Sequence, residues 1–125
     1  MSEKLRILLV DDDPALVKTL ALFLQYEGHI VEATTDPLEA CLIAQRSDFD
    51  LIIADYFMNR MDGMELVNKC RKLQARLEAI LITGHWDKIS DAKDICGQFK
   101  AVLPKPLDID RLMIELDSVK TAGTA

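Results

Sequence analysis

The 125-residue sequence has few of the residues that build zinc sites or disulfide frameworks. It contains three cysteines, far apart in the chain and without a Cys-x-x-Cys pair, and only two histidines. A structural zinc site needs several closely spaced cysteine or histidine ligands, so this composition argues against one. The odd number of cysteines fits buried thiols in a reducing cytoplasm.

Long apolar runs are also missing. The first run, Ile7–Val10, follows the mixed-charge start Met1–Arg6 and is too short for the core of a signal peptide. No segment approaches the length of a membrane span, and there are no repeats or low-complexity tracts. We therefore expect a soluble, cytoplasmic protein without a membrane partner.

Basic residues are outnumbered, since 15 Lys and Arg stand against 21 Asp and Glu, for a net charge of −6. This balance argues against nucleic-acid binding and against an anionic membrane surface, because both need clustered positive charge. The acid excess points instead to a metal cation or a basic partner. A hydrophobic content of 50% over this length predicts one globular domain with its own core.

Three uninterrupted apolar runs, Ile7–Val10, Leu51–Ala54 and Ala79–Ile82, predict strands that are buried on both faces. Such strands are typical of the centre of a parallel sheet. Weaker strand candidates are His29–Ala33 and Ala101–Leu103.

Helical periodicity follows each predicted strand, with Asp13-Pro14 and Asp108 as helix-start signals. The predicted apolar faces are Leu16, Leu20, Phe23 and Leu24; Leu38, Cys41 and Leu42; Leu66, Val67, Cys70 and Leu73; Ile89, Ala92, Ile95 and Cys96; and Ile109, Leu112, Met113 and Leu116. This alternation predicts an α/β fold, a doubly wound five-stranded parallel sheet with helices on both faces. The predicted domain covers residues 1–120, and residues 121–125 form a flexible tail or linker stub.

Polar residues stand where the predicted strands end. They are Asp11, Asp12 and Asp13 after the first strand, Asp55 after the third, Thr83 after the fourth and Lys105 after the fifth. Ligands of doubly wound sheets bind beyond the carboxyl ends of the strands, where the winding reverses. If the strand order is 2-1-3-4-5, the first and third strands are neighbours and these side chains share one crevice.

Carboxylates held this close repel each other unless a cation is present, and oxygen ligands of this kind fit Mg²⁺. A carboxylate can also act as a nucleophile and form an acyl phosphate. Thr83 and Lys105 would then supply a hydroxyl and an ammonium for the phosphoryl oxygens, and Gly84 would leave room for them. Taken singly, each residue has a plainer explanation: Asp13 is a helix cap and Asp62-Gly63 a turn. Their joint occurrence at one sheet edge favours a site.

The ordered set of these motifs resembles the receiver domain of two-component response regulators. The resemblance covers Leu5–Val119 and rests on Ile7–Pro14, Asp55–Met64, Ile82–Gly84 and Lys105-Pro106. It implies a flavodoxin-like (βα)5 sandwich with strand order 2-1-3-4-5. It also implies that Asp55 accepts a phosphoryl group from a sensor histidine kinase or a phosphotransfer protein, and that the domain acts on a downstream output domain or protein.

The resemblance further implies a role for each strand-end residue. Mg²⁺ would be held by Asp12, by Asp11 directly or through water, by Asp55 and by the backbone carbonyl of Phe57. Thr83 would hydrogen-bond the phosphoryl group and Lys105 would pair with it, with a cis Lys105-Pro106 bond rather than a plain trans turn. Such a domain is not an enzyme with a separate substrate, because it catalyses its own phosphorylation and dephosphorylation.

The sequence departs from the family pattern at several places. Val102 stands where many members carry Tyr or Phe, which removes the aromatic half of the usual switch, and Asn59 stands where Pro is common. Phe57 and His85 flank the site at positions that tune phosphoryl lifetime in the family. The predicted partner face includes Trp86–Ile95 and Leu107–Leu116, although Trp86 fits a half-buried structural role equally well.

Three hypotheses follow. The leading one is a phosphorylation-dependent switch. The second is a degenerate receiver that serves only as a binding module, which Val102 motivates. The third is an aspartate-based phosphatase, suggested by Asp11-x-Asp13 but opposed by Pro14-Ala15 and by the missing cap segment. A flavin-binding domain is disfavoured because no Gly-, Ser- or Thr-rich loop follows the first strand.

Overall fold

A five-stranded parallel sheet organises the fold in the computed structural model, which describes residues 4–85 and 98–123. The elements are β1 (Arg6–Val10), α1 (Pro14–Tyr26), β2 (Ile30–Thr34), α2 (Pro37–Arg46), β3 (Leu51–Asp55), α3 (Gly63–Leu73), β4 (Glu78–Thr83), β5 (Ala101–Pro104) and α4 (Ile109–Gly123). All four strand pairs are parallel and the strand order is β2-β1-β3-β4-β5. The predicted fold class and strand order are confirmed.

Successive residues of the central strands pack on opposite faces of the sheet. On β1, Ile7 and Leu9 belong to a core cluster with α1 and α4, while Leu8 and Val10 belong to a second cluster with α2 and α3. All four side chains are fully buried. Burying each such side chain is worth roughly 1.5–3 kcal/mol, which explains why these strands need apolar residues without interruption.

Helix starts follow the predicted capping pattern. Asp13 Oδ1 accepts hydrogen bonds from the N–H groups of Ala15 (3.0 Å) and Leu16 (3.4 Å), and Pro14 occupies the first helical position of α1. Asp108 accepts in the same way from Asp110 N–H at 3.0 Å before α4. These caps satisfy N–H groups that have no partner within the helix.

The apolar face predicted for α2 is wrong. The structure buries Ala40, Ile43 and Ala44, and it leaves Leu38 and Leu42 44% and 57% exposed. Both sets of residues fit helical spacing, so periodicity alone did not separate them. The small side chains of Ala40 and Ala44 allow α2 to approach the sheet closely, whereas the larger leucines point outward.

Smaller differences concern the ends of elements. Leu73 is 51% exposed rather than part of the α3 core, and α4 extends to Gly123. Cys41 and Cys70 are free thiols, and burial raises the pKa of Cys70 to about 12, as expected of a packing residue.

The predicted helix over residues 88–96, with Trp86 before it, lies outside the described residues. None of the described helices has the length and hydrophobicity needed to cross a membrane.

Candidate functional site

The carboxyl ends of β1 and β3 bring the predicted acidic residues together. Val10 pairs with Ala54 in the sheet, so Asp11 and Asp55 follow at the same level of two neighbouring strands. Asp11, Asp12 and Asp55 each place a carboxylate oxygen within 4.8 Å of the others. Asp11 is fully buried and Asp55 is 5% exposed, while Asp12 is exposed to solvent. We call these three residues the carboxylate cluster.

Lys105 reaches the cluster from the end of β5. Its Nζ lies 2.8 Å from Asp11 Oδ2 and 3.2 Å from Asp55 Oδ2. Its backbone N–H donates to the carbonyl of Thr83 at 2.8 Å, and the Lys105-Pro106 bond is cis, as predicted. The ammonium is therefore held between two buried carboxylates from different strands.

Burial and charge shift the acidity of this pair. Burial, followed by the nearby charge of Asp11, raises the pKa of Asp55. The ammonium of Lys105 and the N–H of Phe57, which donates to Asp55 Oδ1 at 3.4 Å, oppose this rise without cancelling it. For Lys105, burial lowers the pKa, but the two carboxylates outweigh burial and the net shift is upward. Lys105 therefore stays protonated and positively charged at neutral pH.

Thr83 lies at the end of β4, next to the cluster, and is 1% exposed. Its Oγ1 accepts a hydrogen bond from the N–H of His85 at 3.0 Å. Because a hydroxyl both accepts and donates, this bond orients Oγ1 and leaves its proton for an acceptor in the crevice.

Phe57 contacts an aromatic ring on each side. Its ring centroid lies 4.7 Å from that of Tyr56 and 5.6 Å from that of His85, both in edge-to-face arrangements. These contacts place an apolar ring at the rim of the site, between the loop after β3 and the end of β4. The role of its carbonyl as a metal ligand stays a prediction.

The cluster has the chemistry that a hard divalent cation requires. It combines three carboxylates with one ammonium, which leaves an excess of negative charge. At the buried oxygen Asp11 Oδ2, no donor among the described residues makes a well-aligned hydrogen bond, although the Lys105 ammonium lies beside it. Carboxylate oxygens around a partly solvated space fit Mg²⁺.

Gly63 has a structural role that the sequence analysis did not assign, since Asp62-Gly63 taken alone was given only the plainer explanation of a turn. Asp62 caps α3 by accepting from Glu65 N–H at 2.8 Å, and Gly63 N–H donates to the carbonyl of Tyr56 at 2.8 Å. A Cβ at Gly63 would overlap the backbone carbonyl oxygen of Asp55. The missing side chain lets α3 begin directly against the residue that carries the central carboxylate. The Asp-Gly dipeptide was the available signal.

Comparison with known proteins agrees with this geometry. Residues 7–117 match the family of response regulator receiver domains. The chain is 39% identical over 112 residues to the transcriptional regulatory protein GlrR of Escherichia coli K12, covering 89% of this chain and 25% of that protein. It is 37% identical over 118 residues to the C4-dicarboxylate transport transcriptional regulatory protein DctD of Pseudomonas aeruginosa, covering 94% and 25%. The chain thus spans about a quarter of the length of these two regulators.

Solved structures give the same result for the fold. A response regulator receiver domain protein from Clostridium thermocellum superimposes with a TM-score of 0.85 at 21% identity, covering 95% of this chain and 96% of the other. The response regulator TrrA of Thermotoga maritima, solved in complex with Mg²⁺-BeF, gives 0.80 at 27% identity, covering 94% and 99%. The family match, the strand order and the clustered strand-end residues lead to one conclusion: the chain belongs to the response regulator receiver domains.

Proposed function

We propose that Asp55 accepts a phosphoryl group from a phosphohistidine of a sensor histidine kinase or phosphotransfer protein. The observation that carries the proposal is the position of Asp55: its carboxylate lies in the carboxylate cluster and 3.2 Å from Lys105 Nζ. A nucleophilic carboxylate needs positive charge beside it when it attacks an anionic phosphoryl group. Lys105 supplies that charge from this chain.

The transfer step balances without a further reactant. An oxygen of Asp55 attacks phosphorus, the bond between phosphorus and the histidine nitrogen breaks, and its electron pair returns to the imidazole, which takes a proton from water. The product is an acyl phosphate on Asp55. Its later hydrolysis by water would restore the carboxylate, so the domain would catalyse both steps on itself.

The residues around Asp55 would bind the metal ion and the phosphoryl oxygens. Asp11 and Asp12, with the carbonyl of Phe57, would hold Mg²⁺, which when bound neutralises charge on the phosphoryl oxygens. The Thr83 hydroxyl would donate to one phosphoryl oxygen, and Lys105 would pair with another. The Phe57 ring at the rim would limit access of water.

The free thiols Cys41 and Cys70 fit the reducing cytoplasm as the compartment in which the domain works. Its output would be another domain or protein, because the matched regulators are longer than this chain. Two alternatives fare less well. A degenerate receiver is supported only by Val102, and a phosphatase centred on Asp11 is opposed by Pro14-Ala15, which directly follow the Asp11-x-Asp13 pair.

The test is incubation with acetyl phosphate and Mg²⁺, followed by intact-mass measurement. Wild type and the control Asp48→Asn, an exposed carboxylate outside the cluster, should each gain one phosphoryl group, and Asp55→Asn should gain none. Peptide mapping after borohydride reduction would locate the modified aspartate. If wild type stays unmodified, or if Asp55→Asn gains as much, the proposed function is wrong.

A further inference from the structure

A polar cavity of about 280 Å³ lies beside the carboxylate cluster. Its walls come from the end of β1, the start of α2 and the loop after β3, residues 56–62, which we call the acceptor loop. Asp12 lines this cavity and also belongs to the carboxylate cluster, so the two spaces share a wall. A group inside the cavity is therefore next to the place where phosphoryl transfer would occur.

Arg60 brings a positive charge into this cavity from an unusual backbone position. Its φ is 76°, a left-handed conformation that only a few per cent of residues other than glycine adopt. The loop is anchored on its far side, since Met61 is buried and Gly63 N–H is bonded to the carbonyl of Tyr56. Such conformations persist only where the surroundings impose them, and they cluster at binding loops. The loop therefore fixes where the backbone of Arg60 lies, at the wall of the cavity.

The present partner of Arg60 holds it weakly. Nη1 lies 3.5 Å from Asp36 Oδ2, and the two side chains are 64% and 41% exposed. An exposed ion pair of this length contributes little. Asp36 does not depend on it, because its other oxygen caps α2 by accepting from Leu38 N–H at 2.9 Å. The guanidinium can therefore leave Asp36 for an anion that offers two oxygens, the geometry that arginine binds best.

The charge around the site favours a further cation near Asp12. Lys105 is committed to Asp11 and Asp55 inside the cluster. A phosphodonor, itself an anion, approaches from solvent and meets Asp12, which is exposed. A cation at the mouth raises the local concentration of anions there. Among the described residues that line the cavity beside Asp12, Arg60 is the one cation.

We infer that Arg60 captures the phosphoryl oxygens of the incoming phosphodonor and releases Asp36 as it does so. The inference rests on the proposed role of Asp55 and adds a residue that determines how well the donor is captured. With acetyl phosphate, the Asp55 oxygen attacks phosphorus, the bond from phosphorus to the acetyl oxygen breaks, and acetate leaves with the electron pair. Arg60 takes no part in bond breaking, so its effect falls on binding of the donor.

The experiment compares the initial rate of phosphorylation of five proteins at several concentrations of acetyl phosphate, with Mg²⁺ present. They are wild type, Arg60→Asn, Arg60→Lys, Asp36→Asn and the control Arg76→Asn. Asparagine tolerates the left-handed backbone at position 60 and keeps a capping oxygen at position 36. Arg76 is exposed and lies in a turn away from the cavity, so its replacement removes the same charge elsewhere.

Arg60→Asn should raise KM, the acetyl phosphate concentration that gives the half-maximal rate, about tenfold, the lower end of electrostatic enhancement, and should leave the limiting rate constant of phosphorylation nearly unchanged. Arg60→Lys should restore part of the loss, and Asp36→Asn should lower KM only slightly, because the exposed ion pair that it removes contributes little. Added salt should raise KM of wild type more than that of Arg60→Asn. Arg76→Asn should match wild type. Equal KM values for Arg60→Asn and Arg76→Asn, with wild type phosphorylated normally, would overturn the inference and leave the proposed function standing.

A second donor and a binding measurement complete the test. Phosphoimidazole carries the phosphorus–nitrogen bond of phosphohistidine, so Arg60→Asn should raise KM for this donor as well. If the variant raises KM only for acetyl phosphate, Arg60 does not capture the phosphoryl group. In Asp55→Asn, inorganic phosphate with Mg²⁺ should shift the NMR signal of Arg60 Nε–H and leave that of Arg76 in place. An unshifted Arg60 signal would also overturn the inference.

Discussion

The ammonium of Lys105 lies 2.8 Å from Asp11, a carboxylate with no exposed surface. Asp11 Oδ1 accepts from the N–H of Asp13 at 3.0 Å, while Oδ2 faces the lysine. The pair joins the ends of β1 and β5, strands that are not neighbours in the sheet. Lys105 therefore compensates charge in the unphosphorylated domain before it meets any phosphoryl group.

Replacing Lys105 should destabilise the domain when no divalent cation is present. Lys105→Met leaves Asp11 and Asp55 buried without their cation, and removing one partner of a buried pair costs roughly 3–5 kcal/mol. The measurement is urea unfolding in EDTA, with the exposed Lys72→Met as the control. A loss no larger than that of the control would show that Lys105 does not compensate these charges.

Asp55 should make the domain less stable as the pH rises. Its folded pKa lies above the ordinary value of 3.8, because of burial and then the charge of Asp11. Between 3.8 and the raised pKa, the folded state holds a proton that the unfolded state has lost, so the free energy of unfolding falls across this window and the penalty is complete above it.

Asp55→Asn removes that penalty and should raise the free energy of unfolding at pH 7 by roughly 0.5–2 kcal/mol, the usual range of a single stabilising substitution. Its gain over wild type should shrink below the window, where Asp55 is protonated in both states. Urea unfolding without metal would check this, measured from about pH 3.5 to about pH 8, a range that spans the usual carboxyl pKa values. A gain that does not depend on pH would rule out this explanation.

Asp12 and Asp13 should respond differently to Mg²⁺ although they are adjacent. Asp12 belongs to the carboxylate cluster, whereas Asp13 Oδ1 is occupied by the N-terminal N–H groups of α1. Mg²⁺ at a hundred times its Kd should stabilise wild type by about 2.7 kcal/mol. Asp12→Asn should lose most of this gain, and Asp13→Asn should keep it because asparagine also caps a helix. Thermal unfolding with and without Mg²⁺ separates the two variants. If both lose the same share of the Mg²⁺ stabilisation, the prediction that Asp12, and not Asp13, binds the ion is wrong.

Gly63 and Gly84 form a matched pair of glycines near the site. In Gly63→Ala the new Cβ would overlap the Asp55 carbonyl oxygen and lie 2.9 Å from Leu81 Cδ2, whereas in Gly84→Ala it would meet Lys105 Cβ at an ordinary 3.8 Å. Gly63→Ala should lower the free energy of unfolding by about 1–3 kcal/mol, the usual cost of overpacking, and should slow phosphorylation by displacing Asp55. Gly84→Ala should leave stability within ~0.5 kcal/mol of wild type. Similar unfolding curves for the two variants would contradict the predicted overlap at Gly63.

Much of the architecture was predictable because its signals are local. The run Ile7–Val10 needs only its own composition to indicate a strand buried on both faces, and Asp13-Pro14 marks a helix start by its own hydrogen bonding. The strand-end residues were predictable for a further reason: in a doubly wound sheet, the topology brings the ends of parallel strands to one edge.

The sequence by itself therefore determined the strands, most helix starts and the residues that meet at the sheet edge. Only the tertiary structure decided which face of α2 is buried, since Leu38 and Ala40 both fit the helical period and the space above the sheet selects the smaller side chain. It alone placed Gly63 against Asp55 and Arg60 against Asp36. Arg60 and Asp36 are 24 residues apart in the chain, and the approach of Gly63 to Asp55 depends on how α3 packs against β3, so both distances depend on how the sheet and its helices pack.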